Sequence, residues 1–351
     1  MAGRLLALVA GTALGMALLV LLLRSVNLDQ LGSDFSDVDY VYLALAVPPF
    51  AVNLLAKVPR WRLLFGEEAP GWDTLFGAMN VGYSVNALLP LRLGEIVRAY
   101  WVRDRSGIGM MRTLSTILVE RVTDGVTLFI LLLVMLPTVA FPGDLIGPAA
   151  LVGGAFIGAL ALMVLLAHAA SHGWAHRLVL PVQRLGGRWA IAGQAIRQVM
   201  MGLQALRSRR ALLLLTFYTL LIWASNTLLV WLVLRAFHIE VPLTAGILLS
   251  SVLNLGMAVP SAPGYVGVFD GLMVLTLGLY GVHRTPALAA ALAFHAIAFV
   301  PVTIIGVIYM LRSGLRITLH LLGAPSPPNP GGHHTQRVPG VPLHPPAGEG
   351  V

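Results

Sequence analysis

The sequence predicts an all-helical polytopic membrane protein, with six full transmembrane spans and two re-entrant, broken helical hairpins arranged as an inverted repeat. Three observations lead there. Of 351 residues, 57% are hydrophobic and only 11% are charged, against roughly a quarter charged in an average soluble domain. Apolar runs long enough to cross a bilayer lie near residues 4–23, 40–57, 113–137, 147–167, 211–235 and 287–311. Two further apolar stretches, 74–107 and 243–281, are interrupted midway, one by Pro90, Arg92 and Gly94, the other by Pro260, Pro263, Gly264 and Gly267.

The first run follows Arg4 and ends in Arg24-Ser25-Val26-Asn27 with no small-residue cleavage pattern, so a retained anchor is expected rather than a signal peptide. The loop after it holds Asp29, Asp34, Asp37 and Asp39 against one arginine and is expected outside. Lys57, Arg60 and Arg62 then mark the inside, as do Arg98, Arg103, Arg105 and Arg112 beyond the first broken stretch. That stretch, basic on both flanks, is expected to enter and return on one side. The arginines from Arg177 to Arg210 and those at Arg312 and Arg316 put the middle loop and the C-terminus inside, so the second broken stretch is expected to dip in from the outside. Both termini are then cytoplasmic, in the cell inner membrane.

At an offset of 170 residues, span 40–57 falls on 210–227, the first broken stretch on the second, and Pro90-x-x-x-Gly94 on Pro260-x-x-x-Gly264. Opposed copies of this kind are the pattern of transporters whose discontinuous helices meet near the midplane and build the site. The expected organisation is a membrane-embedded unit over 1–322, with repeat halves about 40–137 and 211–311, followed by a disordered Pro/Gly-rich cytoplasmic tail over 323–351. Residues 189–207 alternate apolar and polar side chains at helical spacing, which suggests a helix lying in the inner interface.

Absence of cysteine excludes disulfides and thiolate chemistry. The net charge of +8 belongs to arginines beside apolar spans, the location expected of membrane loops, and no nucleic-acid partner is expected. His168, His172 and His176 share a helical face, but Gly173 interrupts the row and no carboxylate is near, so no metal site is expected. No phosphate-binding loop, dinucleotide fingerprint or nucleophile elbow is present, and no cofactor is expected.

The richest constellation is Asn86, Pro90, Arg92, Gly94, Glu95 and Arg98, followed by Glu120, Arg121 and Asp124. An ionisable group inside the bilayer costs roughly 2.5–3.5 kcal/mol, so such groups must pair or face water. Helical spacing offers local pairs, Glu95 with Arg98 and Arg121 with Asp124, which neutralise one another and pin the break. The functional reading leaves one or two arginines to grip an anionic headgroup through a bidentate fork. Arg92, whose nearest acidic neighbour, Glu95, has Arg98 as an alternative partner, is the best placed. In the second half Asn254, Pro260, Pro263, Gly264, Gly267 and Asp270 supply chain breaks rather than charge. They either form a kink or aim the amides of a half-helix N-terminus at a phosphate.

Leu89-Pro90-x-Arg92-x-Gly94-Glu95-x-x-Arg98, Val119-Glu120-Arg121-x-x-Asp124 and Pro260-x-x-Pro263-Gly264-x-x-Gly267 together resemble the flippase-like membrane domain of lysylphosphatidylglycerol synthases and their stand-alone relatives, over about residues 5–315. The resemblance implies lipid translocation between leaflets, with aminoacylated phosphatidylglycerol, other phospholipids, polyprenyl-linked sugars or hopanoids handled by different members. A soluble aminoacyl-transfer domain should follow the last span in the synthases. Here a short Pro-rich tail follows, so lysine transfer is not expected. The chain is expected to be a lipid translocase and not an enzyme, with membrane lipids as partners and lipid-biosynthesis enzymes as candidate partners. Two alternatives stay open: a headgroup-modifying enzyme using Glu95, Glu120 and Asp124 as acid and base, and a non-transporting scaffold.

Overall fold

A computed structural model describes residues 19–88, 93–135, 147, 151, 153–162, 165, 208–257 and 262–313. Among the described residues all regular structure is helical. The α-helices are α1 (Leu28–Ser36), α2 (Tyr40–Phe65), α3 (Trp72–Leu88), α4 (Gly94–Ser106), α5 (Met110–Met135), α6 (Arg209–Ala236), α7 (Leu243–Gly256), α8 (Val268–Gly278) and α9 (Arg284–Arg312), with 3-10 turns at Gly66–Glu68 and Pro263–Tyr265. A further apolar helical piece covers Gly153–Leu162.

Local chemistry sets the ends. Asn27 caps α1 by accepting from the amides of Asp29 and Gln30, and Asp39 caps α2 through Val41. Thus the acidic loop expected outside contains a short helix. α4 stops at Gly107, whose φ of +74° lies in the left-handed region that glycine reaches without strain.

Three described helices are long and apolar enough to cross a membrane, Tyr40–Glu68, Arg209–Ala236 and Arg284–Arg312, against the six spans expected. α5 has the length, but Arg112, Glu120, Arg121 and Asp124 interrupt its apolar run. The run 4–23 falls mostly outside the described residues and 147–167 partly so, while the 189–207 segment, the three spaced histidines and the tail lie outside them. Both interrupted stretches are broken where expected, α3 from α4 and α7 from α8. α4 folds back along α3: the Gly94 amide donates to Asn86 Oδ1 at 2.7 Å, and a Cβ on Gly82 would meet the Arg98 side chain.

Each half has its own core. Trp61, Leu75, Met79, Trp101 and Val119 centre one among α2 to α5. Val230, Leu234, Leu249, Met273 and the run Ala287 to Ala291 centre the other among α6 to α9. α2 lies along α6. Three further pairings exchange when the halves are swapped: α3 with α9 answers α7 with α5, α4 with α5 answers α8 with α9, and α3 with α4 answers α7 with α8. The offset holds less well inside the second break, where α8 starts at Val268, not Gly264, because the 3-10 turn and Gly267 at φ +80° take up the intervening residues.

Candidate functional site

A cavity of about 230 Å³ opens where the two halves face each other. One pole is charged, with Lys57 and Arg60 from α2, Glu95 from α4, and Glu120, Arg121 and Asp124 from α5. The other is aromatic, with Phe50, Tyr265, Phe269, Phe294 and Phe299. Asn53, Asn86, Asn226 and Asn254 add amides, and Tyr83 and Trp223 also reach the wall.

The charged pole is an interhelical network. Arg60, 1% exposed, binds Asp124 with both terminal nitrogens, the second at 3.1 Å, and reaches Glu120 at 3.4 Å. Arg98 donates to the other Glu120 oxygen at 2.9 Å, and its guanidinium lies 4.1 Å from the Trp61 ring. Arg121 also reaches Glu120, at 3.3 Å, while leaving 43% of its side chain exposed. Lys57 lies 5.3 Å from the Tyr83 ring.

The pairs expected from helical spacing are therefore replaced. Arg98 turns to Glu120 instead of Glu95, Arg121 to Glu120 instead of Asp124, and Asp124 to Arg60. For Arg98 and Asp124 a facing helix brings the partner closer than the next turn of the same helix does, while Arg121 turns to its sequence neighbour on the same helix. Arg60 and Arg98, counted in the sequence as markers of the inner surface, are buried ion-pair residues. The cavity lining itself balances, Lys57, Arg60 and Arg121 against Glu95, Glu120 and Asp124, and the buried Arg98 behind it adds a fourth cation to the network.

At the second break, Asp270 Oδ2 accepts the amide hydrogen of Gly267 at 3.0 Å. His295 on α9 lies between Asp270 Oδ1, 3.0 Å from Nδ1, and the carbonyl of Gly264, 2.8 Å from Nε2. The Gly267 amide, just ahead of the half-helix N-terminus, is thus taken by Asp270. The turn touches the first break, since a Cβ on Gly264 would lie 3.4 Å from the Ala87 carbonyl oxygen.

Of the residues expected at a site, Asn86, Glu95, Glu120, Arg121, Asp124 and Asn254 line the cavity. Gly94 and Arg98 stand behind its wall, and Gly264, Gly267 and Asp270 build the adjoining turn with Pro263. Pro90, Arg92 and Pro260 lie outside the described residues. Sequence reasoning missed Asn53, Lys57, Arg60, Trp223, Asn226 and His295 as site residues. For Lys57, Arg60 and His295 the available signal was an ionisable side chain inside an apolar span, which marks function by default.

The family model described as "Lysylphosphatidylglycerol synthase TM region" matches residues 8–306. The chain is 28% identical over 348 residues to the glycosyltransferase AglD of Haloferax volcanii, covering 88% of this chain and 55% of that protein. It therefore spans about half the length of that relative. It is 20% identical over 228 residues to a UPF0104 membrane protein of Methanocaldococcus jannaschii, covering 64% of this chain and 92% of the other. No solved structure matches. The glycosyltransferase similarity corrects the expectation that the chain is not an enzyme: a distant relative over most of the chain carries an enzyme's name. That expectation had leaned on missing soluble-enzyme motifs, a poor guide for a site built from carboxylates and arginines between membrane helices. With the family model covering both halves and both breaks, the chain belongs to the lysylphosphatidylglycerol synthase transmembrane-region family, a family of membrane proteins.

Proposed function

We propose that this protein holds the phosphate-bearing headgroup of a lipid in the cavity between its halves and passes the lipid from one leaflet to the other. The observation that carries this reading is the polarity of the cavity. A pole carrying Lys57, Arg60 and Arg121, with Arg98 buried behind it, faces an aromatic pole in one space, which suits an anionic headgroup continuous with an apolar tail. Arg121 is the gripping residue, because it combines a single carboxylate contact with an exposed guanidinium. Lys57 supplies a second cation, and the free halves of Asn86 and Asn254 orient the headgroup. Glu95, Glu120, Asp124, Arg98 and Gly94 shape the pole, and Pro263, Gly264, Gly267 and Asp270 shape the turn beneath it. Arg92, Pro90 and Pro260, outside the described residues, are assigned to the same site on the sequence alone. The exchange of contacts between halves supports an inverted repeat with two re-entrant hairpins, and the sequence supports cytoplasmic termini in the inner membrane.

The similarity to a glycosyltransferase favours a second reading, in which the same cavity presents the lipid to a glycosyl-transfer step, with Glu95 as the carboxylate outside the described ion pairs. Purified protein in vesicles separates the two, since one changes the leaflet of a lipid and the other its structure. Arg121→Ala is expected to slow translocation about 10-fold or more, the loss of one charged hydrogen-bonding group, with folded yield retained because Glu120 keeps Arg60 and Arg98. Normal lipid movement by Arg121→Ala would falsify its assignment as the grip.

A further inference from the structure

We infer that the Asp270–His295 pair is a proton-binding site coupled to anion occupancy of the cavity, so that lipid movement runs with a proton. The word movement rests on the reading above; the proton rests on hydrogen-bond geometry. His295 Nε2 lies 2.8 Å from the Gly264 carbonyl oxygen, which has no hydrogen to give, so Nε2 must donate. Nδ1 lies 3.0 Å from Asp270 Oδ1, and that contact needs a second hydrogen, whether the ring or the carboxyl carries it. A neutral imidazole beside an ionised carboxylate has only one hydrogen for these two bonds. Losing the second proton to the cavity opposes a lone pair to a carboxylate, or turns the ring and costs the Gly264 bond. In both cases Asp270, 1% exposed, is left as a buried charge without a cation.

The site adjoins the cavity. The rings of Phe269 and Phe299 each lie 4.7 Å from the His295 ring and form part of the cavity wall, and the His295 side chain is 13% exposed, a route for the proton. Among the described residues Asp270 on α8 is the ionisable group within ion-pair reach of His295. On the other elements packed against α9, α3 carries Tyr83 in the cavity wall and Asp73 bonded to Tyr309. α1 carries Asp29 and Asp34, and α6 carries Arg209, Arg210 and Tyr218 near its start and Arg235 paired with Glu240 at its end. On α9 itself Arg284 and Arg312 stand at the two ends. The protonated pair is neutral and the deprotonated pair carries one negative charge. An anion in the cavity therefore favours the protonated pair, and by reciprocity the protonated pair binds the anion more tightly. The proton also holds a strained turn, with Gly264 at φ +66° and Tyr265 at φ +61°.

The test uses the full chain in nanodiscs with 15N-labelled histidine rings, the His295 signal being the one lost in His295→Gln or, where that variant does not fold, the one shifted in Asp270→Asn. At low pH the Nδ1 signal should be that of a nitrogen carrying or accepting the second hydrogen, and it should change as that hydrogen leaves with rising pH. Short-chain phosphatidylglycerol should move that transition upward by about half a pH unit, roughly threefold in proton affinity. A ring whose nitrogen signals do not change with pH, or a transition that the lipid leaves in place, overturns the inference. In vesicles a pH gradient should drive lipid movement. Movement indifferent to the gradient overturns the coupling and spares translocation. A coupled transition in the ring without lipid movement supports the proton site and overturns translocation instead.

Discussion

The two breaks solve one problem with different materials. In the first half, α4 is fastened from outside: Asn86 on α3 accepts the Gly94 amide, Arg98 reaches Glu120 on α5, and Arg60 on α2 ties in Asp124. In the second, α8 is fastened by its own Asp270 and by one ring from α9. At the 170-residue offset, Arg60, Arg98, Glu120 and Asp124 correspond to Val230, Val268, Ala290 and Phe294, of which Val230, Ala290 and Phe294 are buried core residues. The same helical layout therefore forms with apolar side chains where the first half uses ions. Buried ion pairs are often matched or bettered in stability by apolar side chains of similar volume. What the ions add is the polar face of the cavity.

That comparison breaks or holds first at Arg60. Arg60→Val alone strands Asp124 and removes one of the Glu120 contacts, which should cost about 3–5 kcal/mol of stability, read as thermal unfolding of the detergent-solubilised protein. Replacing Arg60, Arg98, Glu120 and Asp124 together by Val, Val, Ala and Phe should recover most of the loss while weakening headgroup binding, with Arg121 and Lys57 still in place. If Arg60→Val unfolds at the wild-type temperature, the network does not hold the first break and the contrast between the halves is wrong.

Gly94 and Gly264, equivalent at the same offset, sharpen the contrast. A Cβ on Gly94 would collide with the Gly82 carbonyl oxygen and the Asn86 side chain, so the residue is needed for close approach. Gly264 has room, its nearest neighbours lying 3.4 and 3.8 Å from a Cβ, but sits at φ +66°. Gly94→Ala should cost about 1–3 kcal/mol by overpacking and Gly264→Ala about 1–2 kcal/mol by strain. Asparagine separates the causes, since it tolerates the left-handed region. Gly264→Asn should unfold closer to wild type than Gly264→Ala, and Gly94→Asn further from wild type than Gly94→Ala.

Helices and breaks were legible because proline, glycine and apolar runs act locally. The pairing was not. Glu120 draws Arg60 from 60 residues before it and Arg98 from 22, and helical spacing speaks only for neighbours along one helix. Counting arginines at span ends put Arg60 on the inner surface for the same reason: the rule sees position in sequence and not the carboxylate across the bundle. His295 stood alone in an apolar run, and its partner Asp270 lies 25 residues away. Asn53 and Asn226 give no local sign that distinguishes a cavity amide from one that binds a neighbouring helix.

The smallest effect is expected at Asn86, where the comparison narrows to one hydrogen bond. Its Oδ1 accepts the amide of the first residue of α4 at 2.7 Å, as Asp270 Oδ2 accepts from Gly267 ahead of α8. Asn86→Ala leaves the Gly94 amide without this acceptor and should cost about 1 kcal/mol. Asn86→Asp keeps the acceptor and puts a negative charge at a helix start, which is favourable by about 0.3–1 kcal/mol, while the neighbouring Glu95 opposes it. The net change should be close to zero. Melting temperatures of both variants against wild type decide it. An Asn86→Asp protein as unstable as Asn86→Ala would mean that the bond to Gly94 does not fasten the break, and that α4 is held by Arg98 alone.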